Sequence, residues 1–185
     1  MMDRLILASA SPRRAEILAD LGVEFEVITR PTDESLPDGI SADRAVAMLA
    51  ERKACAVAEG YPDRTVLAAD TVVAVDGRIL GKPATADEAR EMLRRLSART
   101  HTVYTGVCII KGGVRDVFVC STEVEFYPLT DRLIERYIAS GESMDKAGAY
   151  GVQGLGRVLV RRIEGDFFTV MGLPAAEVWR RLYPQ

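Results

Sequence analysis

The feature that most constrains this chain lies at its start. LILA, a short buried strand, passes through SASP into RRAEILADLG, which reads as one amphipathic helix. Ser11 suits the N-cap, Pro12 the first helical position and Gly22 the C-terminal cap. The N-terminal region is thereby committed to a strand, a tight connection and a helix. Arg13 and Arg14 then stand where the electrostatics oppose them. The start of a helix is its positive end, and each cation there is misplaced by roughly 0.3–1 kcal/mol. An anion resting on the helix start would reverse the sign of that term.

The same punctuation can be followed along the chain. VEFEVITR reads as a strand and PTDESLPDGI as a loop. Ser41 caps a long helix, ADRAVAMLAERKACAVAEG, closed by Gly60. TVLAADTVVAVDGRILGKP gives two strands joined at Asp76-Gly77, a tight-turn signal. Thr85 and Glu88 have capping-box spacing for the helix ADEAREMLRRLS. HTVYTGVCII and VRDVFVCSTEVEFY form a long hairpin through KGG. TDRLIERYIASG is a helix from cap Thr130 to stop Gly141. DKAGAYGVQGLG is glycine-rich; the strand RVLVRRIEG and a last helix from Pro174 to Tyr183 follow. Strands outnumber what strict βα alternation requires, so the expected fold is α/β with an extended mixed sheet flanked by helices.

Bulk composition excludes several classes. At 185 residues, with 48% hydrophobic and 28% charged residues, the chain suits a single soluble globular domain. A net charge of −3 supplies no basic excess for nucleic-acid backbones. No apolar run approaches the ~20 residues that span a bilayer, so no membrane association is expected. The opening apolar stretch is short and ends in two arginines, unlike a signal peptide. Cys55, Cys108 and Cys120 are odd in number and widely spaced, with no CxxC. They read as small core residues of a reducing compartment, and a cytoplasmic location follows. His101 is the only histidine. It leaves little room for a Ser-His-Asp triad or a histidine-rich metal site, so carboxylates, arginines and lysines must carry any chemistry.

Charges then appear where the helix and strand patterns want apolar side chains. Val46, Leu49, Ala50, Ala54 and Val57 form one helical stripe, and Lys53 sits within it. A bare buried ammonium is costly without a counter-charge, although a lysine can also pack its stem and send its head to water. Arg14 falls on the core face with Ile17, Leu18 and Leu21, where a structural arginine paired with a carboxylate is the competing reading. Asp70 interrupts the apolar run VLAADTVVAV; it is either paired, metal-bound or at a strand end. Asp33 and Glu34 lie in a polar loop and Lys82 in the turn GKP. Gly148, Gly151, Gly154 and Gly156 match neither GxGxxG nor GK[ST]; they either turn the backbone or admit a ligand beside Gln153. Cations at a helix start, two lysines and carboxylates on separate loops suit a polyphosphate bound with a divalent cation.

SASPRRAEIL, the DES loop, ERKA, AADTVV, GKP and AGAYGVQG, in this order, resemble the Maf family of nucleoside triphosphate pyrophosphatases from residue 5 to about residue 175. The resemblance implies a mixed α/β fold shared with inosine triphosphate pyrophosphatases, in two lobes around a cleft. By motif, Asp70 resembles the family's catalytic proton acceptor. Ser9, Arg13, Arg14, Glu34, Lys53 and Lys82 resemble the residues that hold phosphates and metal. Arg13, Thr71 and Gln153 match the subgroup that cleaves dTTP and UTP. The implied reaction is hydrolysis to the monophosphate and pyrophosphate. Mg2+ or Mn2+ would be held by Glu34, Asp70 and phosphate oxygens, and Asp70 would act as base or orient the water. Arg14, Lys53 and Lys82 are expected to converge on the triphosphate. The Gln153 amide offers a donor and an acceptor to the imide edge of uracil or thymine. The family is compatible with a homodimer. Two rival roles accompany it: a nucleotide-binding regulator of septum formation whose hydrolysis is incidental, and removal of modified pyrimidine nucleotides.

Overall fold

The structure is a computed structural model, and it describes residues 4–184. β1 (Leu5–Leu7) leads to α1 (Pro12–Asp20), β2 (Phe25–Val27) and α2 (Ala42–Ala58). β3 (Val66–Val75), β4 (Arg78–Leu80) and α3 (Ala86–Leu96) follow, then β5 (Thr100–Lys111), β6 (Val114–Phe126) and α4 (Asp131–Ala139). Two 3-10 turns, Ala147–Ala149 and Gly154–Val158, precede β7 (Val160–Glu164), α5 (Phe167–Met171) and α6 (Ala175–Leu182). The seven strands form one mixed sheet in the order β2-β1-β3-β5-β6-β7, with β4 on β3. β1 is parallel to β2 and to β3, whereas β4 is antiparallel to β3 and β7 to β6. The mixed α/β expectation holds.

Local signals act largely as the residue types dictate. Gly22 closes α1 at φ 70°, and Asp76 and Gly77 both take positive φ, which sends β3 back as β4 through a type I′ turn. Thr130 Oγ1 accepts the Leu133 N–H at the start of α4. Thr85 Oγ1 accepts the Glu88 N–H, but the Glu88 carboxylate reaches past Thr85 to the Ala84 N–H at 2.7 Å. Ser11 and Ser41 occupy N-cap positions without capping through their side chains. The β2 and β7 strands are shorter than their apolar runs. Arg157 and Val158, expected at the start of β7, belong to the second 3-10 turn, and α5 is an addition to the expected elements.

The chain divides into two compact units. The first holds residues up to Asp70, Thr105–Cys120 and the chain from Met171 onward. Its core joins Ile6, Ala8, Ala50, Ala54, Val57, Val66, Ala68, Cys108 and Ile110. Gly106 backs directly onto the main chain of Val46 in α2, leaving no room for a side chain. Cys108 is buried in this core, while Cys55 and Cys120 are only half-buried; none of the three forms a disulfide.

The second unit holds Thr71–Tyr104 and Ser121–Val170. α3 packs on α4 and on the turn at Ala147–Ala149. His101, Phe126 and Tyr150 meet edge to face in its core, with ring centroids 4.6–5.2 Å apart. His101 is 2% exposed, and its Nε2 shares a 2.6 Å hydrogen bond with the Tyr150 hydroxyl. The lone histidine is therefore a core residue. Burial pushes it down to about 4, against 6.5 when free. The folded state binds the proton less readily than the unfolded chain, so His101 costs nothing above pH 6.5 and removes stability as pH falls from 6.5 through 4. The expected loss is about 3 kcal/mol, read as a falling urea midpoint. A His101→Gln variant lacks this component; parallel acid profiles for the two proteins would refute the assignment.

Candidate active site

The candidate residues divide between the two units, and the first carries the charged centre. Lys53 projects from the apolar stripe of α2, and Asp70 stands in the middle of β3. Lys53 Nζ donates to Asp70 Oδ1 at 2.6 Å and pairs with Glu34 Oε1 at 2.8 Å. One ammonium thus joins two carboxylates from different segments. The side chains of Lys53 and Asp70 are 21% and 14% exposed, against 64% for Glu34. Burial alone pushes Lys53 down, but the charge and hydrogen bond of Asp70, with those of Glu34, outweigh it and leave the lysine above its ordinary value. The competing reading, a lysine whose head escapes to water, fails on this geometry.

Arg14 stands in the first turn of α1 and is held at two points. Its Nε donates to the Gly172 carbonyl at 2.8 Å, and its Nη1 donates to Ser9 Oγ at 2.9 Å. Ser9 is buried and also accepts the Ser11 N–H. Burial pushes the Arg14 guanidinium down to about 10; Asp70 pulls it back up and the adjacent Arg13 lowers it further. Arg14 is still a cation at neutral pH, one that an arriving anion would relieve.

The loop bearing Glu34 is fixed by a residue that sequence reasoning missed. Arg52, one position before Lys53, donates through Nη1 to the carbonyls of Asp33 at 3.1 Å and Ser35 at 2.6 Å, bracketing Glu34. The backbone N–H and the hydroxyl of Ser35 bond the Asp33 carboxylate and hold it below its usual range. Adjacent positions on α2 therefore secure the loop by backbone and by side chain. Only the ERKA context hinted at Arg52. An open groove of about 620 Å3 beside this loop, lined in part by Arg30, Asp33, Arg52, Cys55 and Glu59, contains neither Lys53, Asp70 nor Glu34.

The second unit carries Thr71, Lys82 and Gln153. Thr71 follows Asp70 in β3, and Lys82 is exposed after β4. The Gly148 N–H donates to the Gly81 carbonyl at 3.0 Å, which ties the Lys82 turn to the glycine-rich segment carrying Gln153. A Cβ at Gly148 would stand 2.9 Å from Val73, so close backbone approach explains that glycine. Among the described residues no three His, Cys, Asp or Glu side chains gather as a metal cage, and no helix is long and apolar enough to cross a membrane.

Comparison with known proteins adds an independent observation. The family model described as Maf-like protein matches residues 4–184. A protein of Halalkalibacterium halodurans named dTTP/UTP pyrophosphatase is 49% identical over 98% of this chain and 95% of its own length. Proteins of the same name from Bacillus velezensis and Bacillus cereus are 49% and 48% identical, also over 98% of this chain and 96% and 95% of theirs. Among solved structures, the Ham1 protein of Staphylococcus aureus is 17% identical with a TM-score of 0.46, covering 67% of this chain and 72% of that one. At that score the likeness carries no argument.

The two ion pairs of Lys53 should differ in strength, because Asp70 is shielded from water and Glu34 is not. Double-mutant cycles by urea unfolding are expected to give a Lys53–Asp70 coupling of roughly 1–3 kcal/mol and a Lys53–Glu34 coupling below about 1 kcal/mol. Equal couplings would contradict the burial argument.

Proposed function

The chain belongs to the Maf-like family, and from that premise we propose that it is a nucleoside triphosphate pyrophosphatase, hydrolysing dTTP and UTP to the monophosphate and pyrophosphate. The observation that carries the reading is the shared cation of Glu34 and Asp70, with the phosphate-seeking Arg14 under the influence of the same Asp70. The relatives are named for an enzymatic activity, which favours hydrolysis over a regulator of septum formation. We place the reaction in the cytoplasm, on the basis of three cysteines without a CxxC, and treat residues 1–185 as one domain built of two compact units.

The donor set fits a hard divalent cation. Glu34 and Asp70 offer carboxylate oxygens that already share one positive group, and these two side chains would hold Mg2+ or Mn2+ together with water and the substrate. Such an ion, when bound, withdraws charge from the phosphate oxygens and lowers the pKa of a coordinated water. Every other role falls to side chains of this protein. With its Oδ1 held by Lys53, the Asp70 carboxylate takes the proton of the water that attacks phosphorus, or orients that water. The water oxygen joins the phosphorus, the anhydride bond between the first two phosphates breaks, and its electron pair leaves with pyrophosphate. Arg13 and Arg14 at the start of α1, with Lys53 and Lys82, neutralise charge on the phosphoryl group and on the departing pyrophosphate. Ser9 steadies Arg14 through its 2.9 Å bond. Thr71 and Gln153 discriminate the base, the glutamine amide pairing with the imide edge.

A pyrophosphate-release screen over a nucleotide panel tests the reading. UTP and dTTP should be the best substrates in the presence of Mg2+ or Mn2+, and chelation should abolish turnover. Asp70→Asn is expected to lower kcat by about 10²–10⁴-fold while the protein stays folded; full activity in that variant would remove Asp70 from the mechanism. Gln153→Ala should reduce kcat/KM for UTP about tenfold and leave CTP nearly unchanged. Undiminished selectivity for UTP over CTP would exclude Gln153 as the base reader. A preference for modified over ordinary pyrimidine triphosphates in the same panel would favour a housecleaning role.

A further inference from the structure

We propose that Glu142 is the positioning residue for base recognition: its carboxylate caps, from outside, the turn that begins at Gln153, and so keeps the glutamine amide for the substrate. This rests on the reading that Gln153 pairs with the base. Gln153 is the N-cap residue of the 3-10 turn Gly154–Val158, with extended backbone at φ −103° and ψ 175°. A side chain at an N-cap ordinarily turns back to accept the N–H of the second or third residue of its turn. Here those donors are Leu155 and Gly156, and Gln153 accepts neither. Both carboxylate oxygens of Glu142 instead lie 3.0 Å from the Leu155 nitrogen, and Oε2 is 3.3 Å from the Gly156 nitrogen. The backbone after Gln153 is thus held by an acceptor eleven positions earlier in the chain.

The surrounding residues are shaped to admit that carboxylate. Gly154 takes φ +57°, and a Cβ there would lie 2.6 Å from Glu142 Oε1 and 2.7 Å from Oε2. Any side chain at 154 would push the carboxylate away. Lys146 Nζ donates to the Glu142 carbonyl at 2.6 Å and pairs with Asp145, while its stem lies where a side chain on Gly151 would stand. The Tyr137 hydroxyl accepts the Gly151 N–H at 3.1 Å. Segment 151–156 is therefore fastened on both sides of Gln153, by Tyr137 before it and Glu142 after it. A free N-cap glutamine would divide its time between its own backbone and the base; an external cap removes that competition.

The test compares Glu142→Gln, Glu142→Ala, Gln153→Ala and the double variant Glu142→Ala/Gln153→Ala, measuring kcat and KM for UTP and CTP together with thermal melting. Glu142→Gln retains size and one accepting oxygen but loses the second oxygen and the charge, so the cap is weakened without a cavity, whereas Glu142→Ala removes it. The expected result for Glu142→Ala is a rise in KM for UTP of about tenfold, little change in kcat, and a loss of UTP-over-CTP selectivity that the double variant does not deepen, with a smaller shift in the same direction for Glu142→Gln. If Gln153→Ala lowers selectivity but both Glu142 variants keep it, the proposal is overturned and Gln153 remains the base reader; a lowered melting temperature with selectivity intact overturns it equally. If Gln153→Ala keeps selectivity, the base-reading role itself is wrong, and the proposal falls with it.

Discussion

The ion pair between Lys53 and Asp70 is the constraint on which the charged centre depends. A lysine on the core stripe of α2 and an aspartate in the middle of β3 would each be expensive alone, since both elements are otherwise packed with Val, Leu and Ala. Brought to 2.6 Å, each supplies the counter-charge that the other requires. A buried pair of this kind is a poor source of stability compared with apolar side chains of the same volume. In the proposed reading the pair serves the substrate instead: it presents a carboxylate held in a fixed direction, and a cation already beside it.

Two supports extend outward from that pair. Arg52 uses backbone carbonyls on either side of Glu34, so the loop keeps its place without spending the glutamate itself. Glu34 is left as the exposed partner of Lys53, able to exchange one cation for another at little cost in desolvation. Arg14 follows a related logic. Ser9 and the Gly172 carbonyl, both neutral, orient its guanidinium. In the proposed reading, the repulsion between two cations and a helix start becomes attraction toward phosphate.

The second unit solves a different problem. If Gln153 reads the base as proposed, it must be held firmly by its backbone while its polar atoms stay uncommitted. Glycines at 151, 154 and 156 allow Lys146, Glu142 and other groups to press against the main chain there, and hydrogen bonds to Tyr137 and Glu142 hold the backbone around Gln153. The aromatic set of His101, Phe126 and Tyr150 places a rigid core beneath the start of this segment at Tyr150.

Much of this was legible in the residues themselves. Helix starts at Pro12 and Ala42, the turn at Asp76-Gly77 and the Gly112-Gly113 hairpin follow from φ preferences and periodicity, which act over a few residues. Lys53, Arg14 and Asp70 were conspicuous because each violates its local apolar pattern. Arg52, Glu142 and Tyr137 violate nothing: they are ordinary polar residues on a helix face or in a loop, and their importance comes from partners distant in sequence. The lone histidine shows the same limit, since only burial among Phe126 and Tyr150 makes it a neutral core ring. The sequence by itself determined the elements and announced which charges were out of place, because local sterics and amphipathic periods are written residue by residue. Tertiary structure alone decided which charge answers which, because a hydrogen bond or ion pair depends on distances that only the folded chain sets.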